Sequence, residues 1–220
     1  MTTLTPDLML RAYASGIFPM AETGQSEELY WFDPHVRAIL PLEAFHFSRK
    51  LKQTVARGEF EVRIDTDFAG VISGCATTRD NTWINAQIRD TFIKIHEMGH
   101  AHSVEAWQNG KLVGGLYGAA LGGVFFGESM FSHVSNASKV CLVHLVARLR
   151  ANGFTLLDVQ YHNDHLAQFG ITEIPRQDYR QRLAGALAIP ANFRAGDKAT
   201  VLLAGLGINL LPPAAKRDNP

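Results

Sequence analysis

Two short segments hold polar side chains where nearly everything around them is apolar. The first is Val124-Phe-Phe-Gly-Glu-Ser-Met-Phe-Ser132 and the second is Phe154-Thr-Leu-Leu-Asp-Val-Gln160. In an extended strand alternate residues share a face. Glu128, Met130 and Ser132 are therefore expected together, with Phe125, Gly127, Ser129 and Phe131 opposite. By the same rule Leu156, Asp158 and Gln160 share a face. A carboxylate among apolar neighbours costs several kcal/mol when dry and unpaired, so it persists where a cation or a hydrogen-bond donor meets it. A carboxylate and an amide two residues apart, near the end of an interior strand, suit a site at a splayed sheet edge. Two buried polar residues satisfied by backbone groups would read the same way, and composition alone leaves the two readings even.

A second motif is misleading. His96-Glu97-Met98-Gly99-His100 has the spacing of a helical zinc site, whose chemistry needs both imidazoles on one helix face and the glutamate over a bound water. Gly99 stands where a helix ends, and no downstream His or Glu has an obvious claim as a third ligand. A helix-terminal histidine pair is the better reading, and no metal is expected. His162 and His165 read as packing and capping at a helix start. Cys75 and Cys141 have no paired spacing and read as buried thiols in a reducing compartment.

These residues have to be positioned by the elements around them. Residues 6–14 read as a helix with Pro6 at its start, ended by Gly16. Trp31-Phe-Asp-Pro34 reads as a turn feeding a short strand over 38–40. Residues 48–57 read as a helix capped by Ser48. Its Arg49, Lys50, Lys52 and Arg57 fit a solvated face or a phosphate contact. A strand over 60–65 and helices over 67–76 and 86–98 follow. The centre is clearest: strands over 102–108 and 112–120 joined by Asn109-Gly110, a strong hairpin signal, then a third strand over 124–132. A helix over 136–152, closed by Gly153, leads to a buried strand over 154–160. Three antiparallel strands, a helix and a parallel strand satisfy the crossover rules and match the core of the GNAT-type acyltransferase fold. The expectation is an α+β chain with a mixed, mostly antiparallel sheet. Residues 1–47 form a small N-terminal part, 48–190 the catalytic domain, and 191–220 a surface-hugging or disordered tail.

Bulk composition excludes several classes. The chain has 220 residues, 46% of them hydrophobic and 19% charged, so its core needs no disulfide or metal staple. Met1-Thr-Thr-Leu-Thr-Pro shows no signal peptide, and no window is long and apolar enough to span a membrane. A cytoplasmic monomer is expected. Formal net charge is zero, so any nucleic-acid contact is expected to be local and limited to a few phosphates.

An ordered set of segments sharpens this. Tyr13-Ala-Ser-Gly-Ile-Phe-Pro-Met20, Trp31-Phe-Asp-Pro-His-Val-Arg-Ala-Ile-Leu40, Thr82-Trp-Ile84, His96 through Trp107, Phe126 through Ser132, Ala137-Ser-Lys139, Leu157-Asp-Val-Gln160 and Ile174 through Arg180 stand in this order. Together they resemble the leucyl/phenylalanyl-tRNA–protein transferases over roughly residues 6–185. The resemblance implies a GNAT-like domain and no cofactor. It implies transfer of Leu or Phe, and Met less well, from charged tRNA to the α-amino group of a protein beginning with Arg or Lys, which marks that protein for N-end-rule degradation. It implies Asp158 and Gln160 as the catalytic pair beside the reacting amine. Glu128 and Met130 shape the pocket for the aminoacyl side chain, with Leu145 and Leu157 as apolar walls. Trp83 is associated with the 3′ end of the tRNA. Met20 stands where some members carry an aromatic that stacks on the terminal adenosine, and Phe92 stands where others have a tyrosine. One rival is an acetyl-CoA-dependent N-acetyltransferase, which needs a Gly-rich loop at a helix start to hold the pyrophosphate. Ser132-His-Val-Ser-Asn-Ala-Ser-Lys139 contains no glycine and counts against it. The other rival is a non-catalytic tRNA- or peptide-binding module.

Overall fold

A computed structural model describes residues 4–78, 81–196 and 199–211. The chain runs through α1 (Pro6–Ala14), β1 (Phe18–Ala21), β2 (Leu29–Phe32), β3 (Val36–Ile39), α2 (Arg49–Ala56), β4 (Glu61–Ile64), α3 (Phe68–Thr77) and α4 (Ala86–Glu97). It continues through β5 (Ala101–Gln108), β6 (Lys111–Leu121), β7 (Val124–Ser132), α5 (Ala137–Ala151), β8 (Leu156–Gln160), α6 (Asp164–Ala167), β9 (Thr172–Pro175), α7 (Arg176–Leu187) and α8 (Ala199–Ala204). Helix starts follow local chemistry: the side chains of Thr5, Ser48, Asp67, Asn85 and Asn163 accept from backbone N–H groups of the first turn. Asn109 and Gly110 both take positive φ, 52° and 73°, as a two-residue turn matched to strand twist requires.

Seven strands form one sheet in the order β4-β5-β6-β7-β8-β3-β9, and β1 and β2 form a separate hairpin. Only β7 and β8 run parallel, joined by α5 as the crossover. The α+β class, the mixed sheet and a small N-terminal part agree with the sequence; the β1–β2 hairpin in that part was not expected. The parallel neighbour of β8 was legible in the sequence and its other neighbour was not. β3 pairs antiparallel with β8, and β9 with β3, so a strand from residues 1–47 is built into the main sheet.

The sheet separates two cores. One lies under α5, α2 and α8 and includes Leu116, Phe125, Leu145, Leu157 and Phe193. The other lies under α1, α3, α4 and α7 and includes Tyr13, Phe92, Tyr117, Phe126 and Phe131. This division corrects the alternation expected for β7. Gly127 pairs with Gly118 but Ser129 pairs with Tyr117, so Glu128 is an extra residue in a β-bulge. Beyond the bulge the parity inverts: Met130 falls on the Phe125 side and Phe131 on the Phe126 side. The close strand approach there needs glycine, since a Cβ on Gly118 would run into the Phe126 carbonyl and the Phe125 ring.

The expected C-terminal tail is also different. Phe193 stacks on His102 at 4.2 Å between ring centroids, and its carbonyl accepts from Arg148 Nη1 at 2.9 Å and Asn152 Nδ2 at 3.2 Å. Arg194 Nε donates to Asp65 at 2.9 Å, and Leu203 and Ile208 are buried. Residues 193–196 and 199–208 thus close the core over α5, while 212–220 lie outside the described residues. Short apolar pieces of this kind carry no periodicity to read. Among the described residues no helix is long and apolar enough to cross a membrane. Phe193→Ala should cost about 3–5 kcal/mol of stability, measured by urea unfolding.

Candidate active site

Two backbone irregularities bring the polar segments together. The bulge re-aims Glu128 on β7. Gln160, the last residue of β8, takes φ 59°, and Tyr161 N–H bonds the Val159 carbonyl at 2.8 Å, closing a tight turn around it. A non-glycine residue held at positive φ stores strain that clusters at functional sites. Parallel pairing of β7 and β8 runs only from Val124↔Leu156 to Phe126↔Asp158, and the strands then part. In the gap Gln160 Nε2 donates to Glu128 Oε1 at 3.2 Å.

A cavity of about 110 Å³ opens at this gap. Leu116, Met130, Leu142, Leu145, Leu157 and Leu166 give it an apolar side, while Tyr117, Glu128, Ser129, Gln160, Asn163 and His165 give it a polar one. A larger cleft of about 710 Å³ shares none of these residues, lying between Leu4 and Leu8, the 24–29 loop and the start of α4. Its size is no argument for chemistry, because the buried polar constellation is at the smaller cavity.

Behind the cavity stands a buried ion pair. Arg37 and Asp158 are 1% and 0% exposed. Asp158 Oδ1 accepts from Arg37 Nε and from the Gln160 N–H, both at 2.9 Å, and Oδ2 accepts from Arg37 Nη2 at 2.6 Å and the Tyr179 hydroxyl at 2.7 Å. Arg37 Nη1 donates to the Gly16 carbonyl at 3.0 Å, and the guanidinium lies between the rings of Phe18 and Tyr179, 4.4 and 4.5 Å from their centroids. Burial pulls the Arg37 guanidinium down, and Asp158 more than restores it, so the cation is held. Glu128 is different. Burial pushes its carboxyl up to about 8; Asp158 pushes the same way, while Tyr13 and Arg37 pull it partly back. Tyr13 and Tyr117 have fully buried hydroxyls with no hydrogen-bond partner at normal geometry among the described residues. Burial raises both phenols well above their usual range, and the Glu128 charge raises them further.

Residues 39–184 match the family model described as leucyl/phenylalanyl-tRNA protein transferase, and residues 2–35 match that of its N-terminal domain. The chain belongs to this family. A leucyl/phenylalanyl-tRNA–protein transferase from Gloeobacter violaceus is 54% identical over 194 residues, which cover 88% of this chain and 100% of the relative. Another, from Paramagnetospirillum magneticum, is 56% identical over 88% of this chain and 94% of the relative.

The family's ordered segments meet at the splayed strands, though not as the sequence implied for every residue. Glu128, Met130, Leu145, Leu157 and Gln160 line one cavity. Asp158 does not. Its oxygens accept four hydrogen bonds, one of them from the Gln160 backbone, and it has no exposed surface. Phe92 is likewise fully buried, its ring edge-on to Tyr117 at 5.2 Å, and supports the site from behind. Trp83 and Met20 are partly buried near the β1–β2 hairpin, where the Trp83 carbonyl accepts from Ala21 N–H at 3.3 Å. His96 and His100 do not share a helix face: α4 ends at Glu97, His96 Nδ1 lies 2.8 Å from the Ala101 carbonyl, and His100 follows Gly99 at φ 81°. Sequence reasoning missed Arg37, Tyr13, Tyr117 and Tyr179. For Arg37 a signal existed, a lone cation inside the apolar run Val36-Arg-Ala-Ile-Leu40.

Arg37→Met should destabilise the fold by about 3–5 kcal/mol, because it leaves Asp158 buried and unpaired. The double variant Arg37→Met/Asp158→Leu should recover most of that loss in urea unfolding.

Proposed function

We propose that this chain moves Leu or Phe, and Met less well, from charged tRNA to the α-amino group of proteins beginning with Arg or Lys, which marks them for degradation by the N-end rule. Family membership supports the reaction class. The observation that carries the site assignment is the two-sided cavity at the parted ends of β7 and β8. An aminoacyl ester has an apolar side chain and a reacting carbonyl a few bonds away. Met130, Leu145 and Leu157 suit the first, and Glu128 and Gln160 lie where the second would come. Trp83 and Met20, beside the β1–β2 hairpin, are assigned to the 3′ end of the tRNA. The working compartment is taken to be the cytoplasm. The arrangement of three antiparallel strands, a crossover helix and a parallel strand that splays from its neighbour supports a GNAT-like acyltransferase domain. The rest of residues 1–47 serves as a small N-terminal part.

Conversion of an ester to an amide is downhill, so the site has to orient more than to activate. Holding both reactants in line supplies on the order of 7 kcal/mol. Gln160 is fixed at three points: its N–H on Asp158, its side-chain amide on Glu128, and the turn closed by Tyr161. Its carboxamide oxygen then accepts from the incoming amine and aims the nitrogen lone pair at the carbonyl carbon. Asp158, Arg37 and Tyr179 act as positioning residues through Gln160.

An assay with charged tRNA and an Arg-initiated peptide tests the reading directly: no transfer would end it. In the same assay the cavity wall should favour Leu over the β-branched Ile by about 10- to 200-fold in kcat/KM, the worth of one misplaced methyl. Equal use of the two would remove the pocket assignment.

A further inference from the structure

Attack of an amine on an ester leaves a proton that has to be carried away. The C–N bond forms, positive charge collects on nitrogen, and the ribose oxygen departs as the C–O bond breaks. Neither residue of the Asp158–Gln160 pair can take that proton. The Gln160 carboxamide has no basic site near neutral pH, and Asp158 has four filled acceptor positions and no exposed surface.

We infer that Glu128 is the proton acceptor of the transfer reaction, an inference that rests on the aminoacyl-transfer reading above. Its carboxylate takes the proton from the amine nitrogen as the C–N bond forms. It returns that proton to the departing ribose oxygen as the C–O bond breaks. Amide and alcohol are the products, Glu128 ends as the carboxylate it began as, and no other reactant enters.

Three observations support the role. The β-bulge makes Glu128 the unpaired residue of β7 and turns it into the gap between β7 and β8. There it lines the cavity next to Gln160, the residue assigned to hold the amine. Four groups from four elements act on its charge: Tyr13 on α1, Arg37 on β3, Tyr117 on β6 and Asp158 on β8. His165 on α6 lines the same cavity, and Gln160 is the cavity residue that Glu128 bonds. None of the four can replace it. Both phenols are pushed up by burial, Arg37 is a held cation, and Asp158 is committed to Arg37 and Tyr179. Glu128, with its carboxyl raised to about 8, is matched to an α-amine whose ordinary value is ~7.7–8.0, so the proton moves between groups of nearly equal basicity.

The sign follows. The working form is the carboxylate, so the rate rises with pH through about 8 and then levels. An ordinary acceptor amine titrates over the same range and would mask this. The test therefore uses a peptide with N-terminal aza-arginine, a semicarbazide whose terminal nitrogen stays unprotonated between about pH 6 and pH 9, in single-turnover transfer from Leu-tRNA. The wild-type rate should climb about tenfold between about pH 7 and pH 9. Glu128→Gln should lose about a hundredfold or more at the high-pH end and give a flat profile, with Leu-tRNA affinity within about twofold of wild type. A Glu128→Gln variant that keeps the rising limb, or loses only tRNA affinity, overturns the inference. If that variant does not fold, Glu128→Asp serves instead: it should keep a limb with a shifted midpoint, and an unmoved midpoint overturns the inference equally. A wild-type protein that acylates neither this acceptor nor an ordinary Arg-initiated peptide would sink the aminoacyl-transfer reading itself.

Discussion

A guanidinium and a carboxylate without access to water must satisfy each other or unfold the chain around them. Arg37 and Asp158 do so with two parallel hydrogen bonds, at 2.6 and 2.9 Å. The remaining donors and acceptors are used to bind other parts of the chain. Gly16 after α1, Tyr179 on α7 and the Gln160 backbone on β8 all attach to the pair. The desolvation cost of such a pair is several kcal/mol per ion, so it is poor evidence for net stability. It is strong evidence for geometry, because each partner is destabilising anywhere else. The pair thereby ties the N-terminal segment, the sheet and a late helix to one point directly behind the parted strand ends.

Electrostatically, the two carboxylates near the cavity are divided between tasks. Asp158 faces a cation that donates twice and two further donors, the Gln160 N–H and the Tyr179 hydroxyl. Glu128 faces two buried phenols, one amide N–H and the charge of Asp158, and burial dominates its titration. Placing an occupied carboxylate beside a less compensated one is how a fold keeps one anion structural and leaves the other responsive near neutral pH. The two phenols with no partner at normal geometry among the described residues lie beside Glu128, and burial raises both well above their usual range.

Much of the fold could be read residue by residue. The hairpin at Asn109-Gly110, the helix cap at Ser48, the stop at Gly99 and the parallel β7–β8 pair joined by one crossover helix have causes close by in the chain, and such causes are visible in sequence. What escaped was long-range. β3 and β9 are four residues each and owe their place to partners more than a hundred residues away. The buried residues of 193–208 are too few and too scattered to show a period. In the site, residue types were legible and roles were not. Asp158 looked free because its partner Arg37 lies 121 positions distant, and Phe92 looked available because nothing local shows that Tyr117 covers it. Strand alternation failed at Glu128 because a bulge is a property of two strands together.

That bulge sets residue count against function. β7 carries one more residue than β6 needs opposite it. Removing Glu128 would leave Gly127 and Ser129 facing their present partners and would restore an unbroken ladder. The regularised strand would be a better piece of sheet and would no longer turn a carboxyl group into the cavity. One codon thus separates a more perfect sheet from one whose defect lines a cavity.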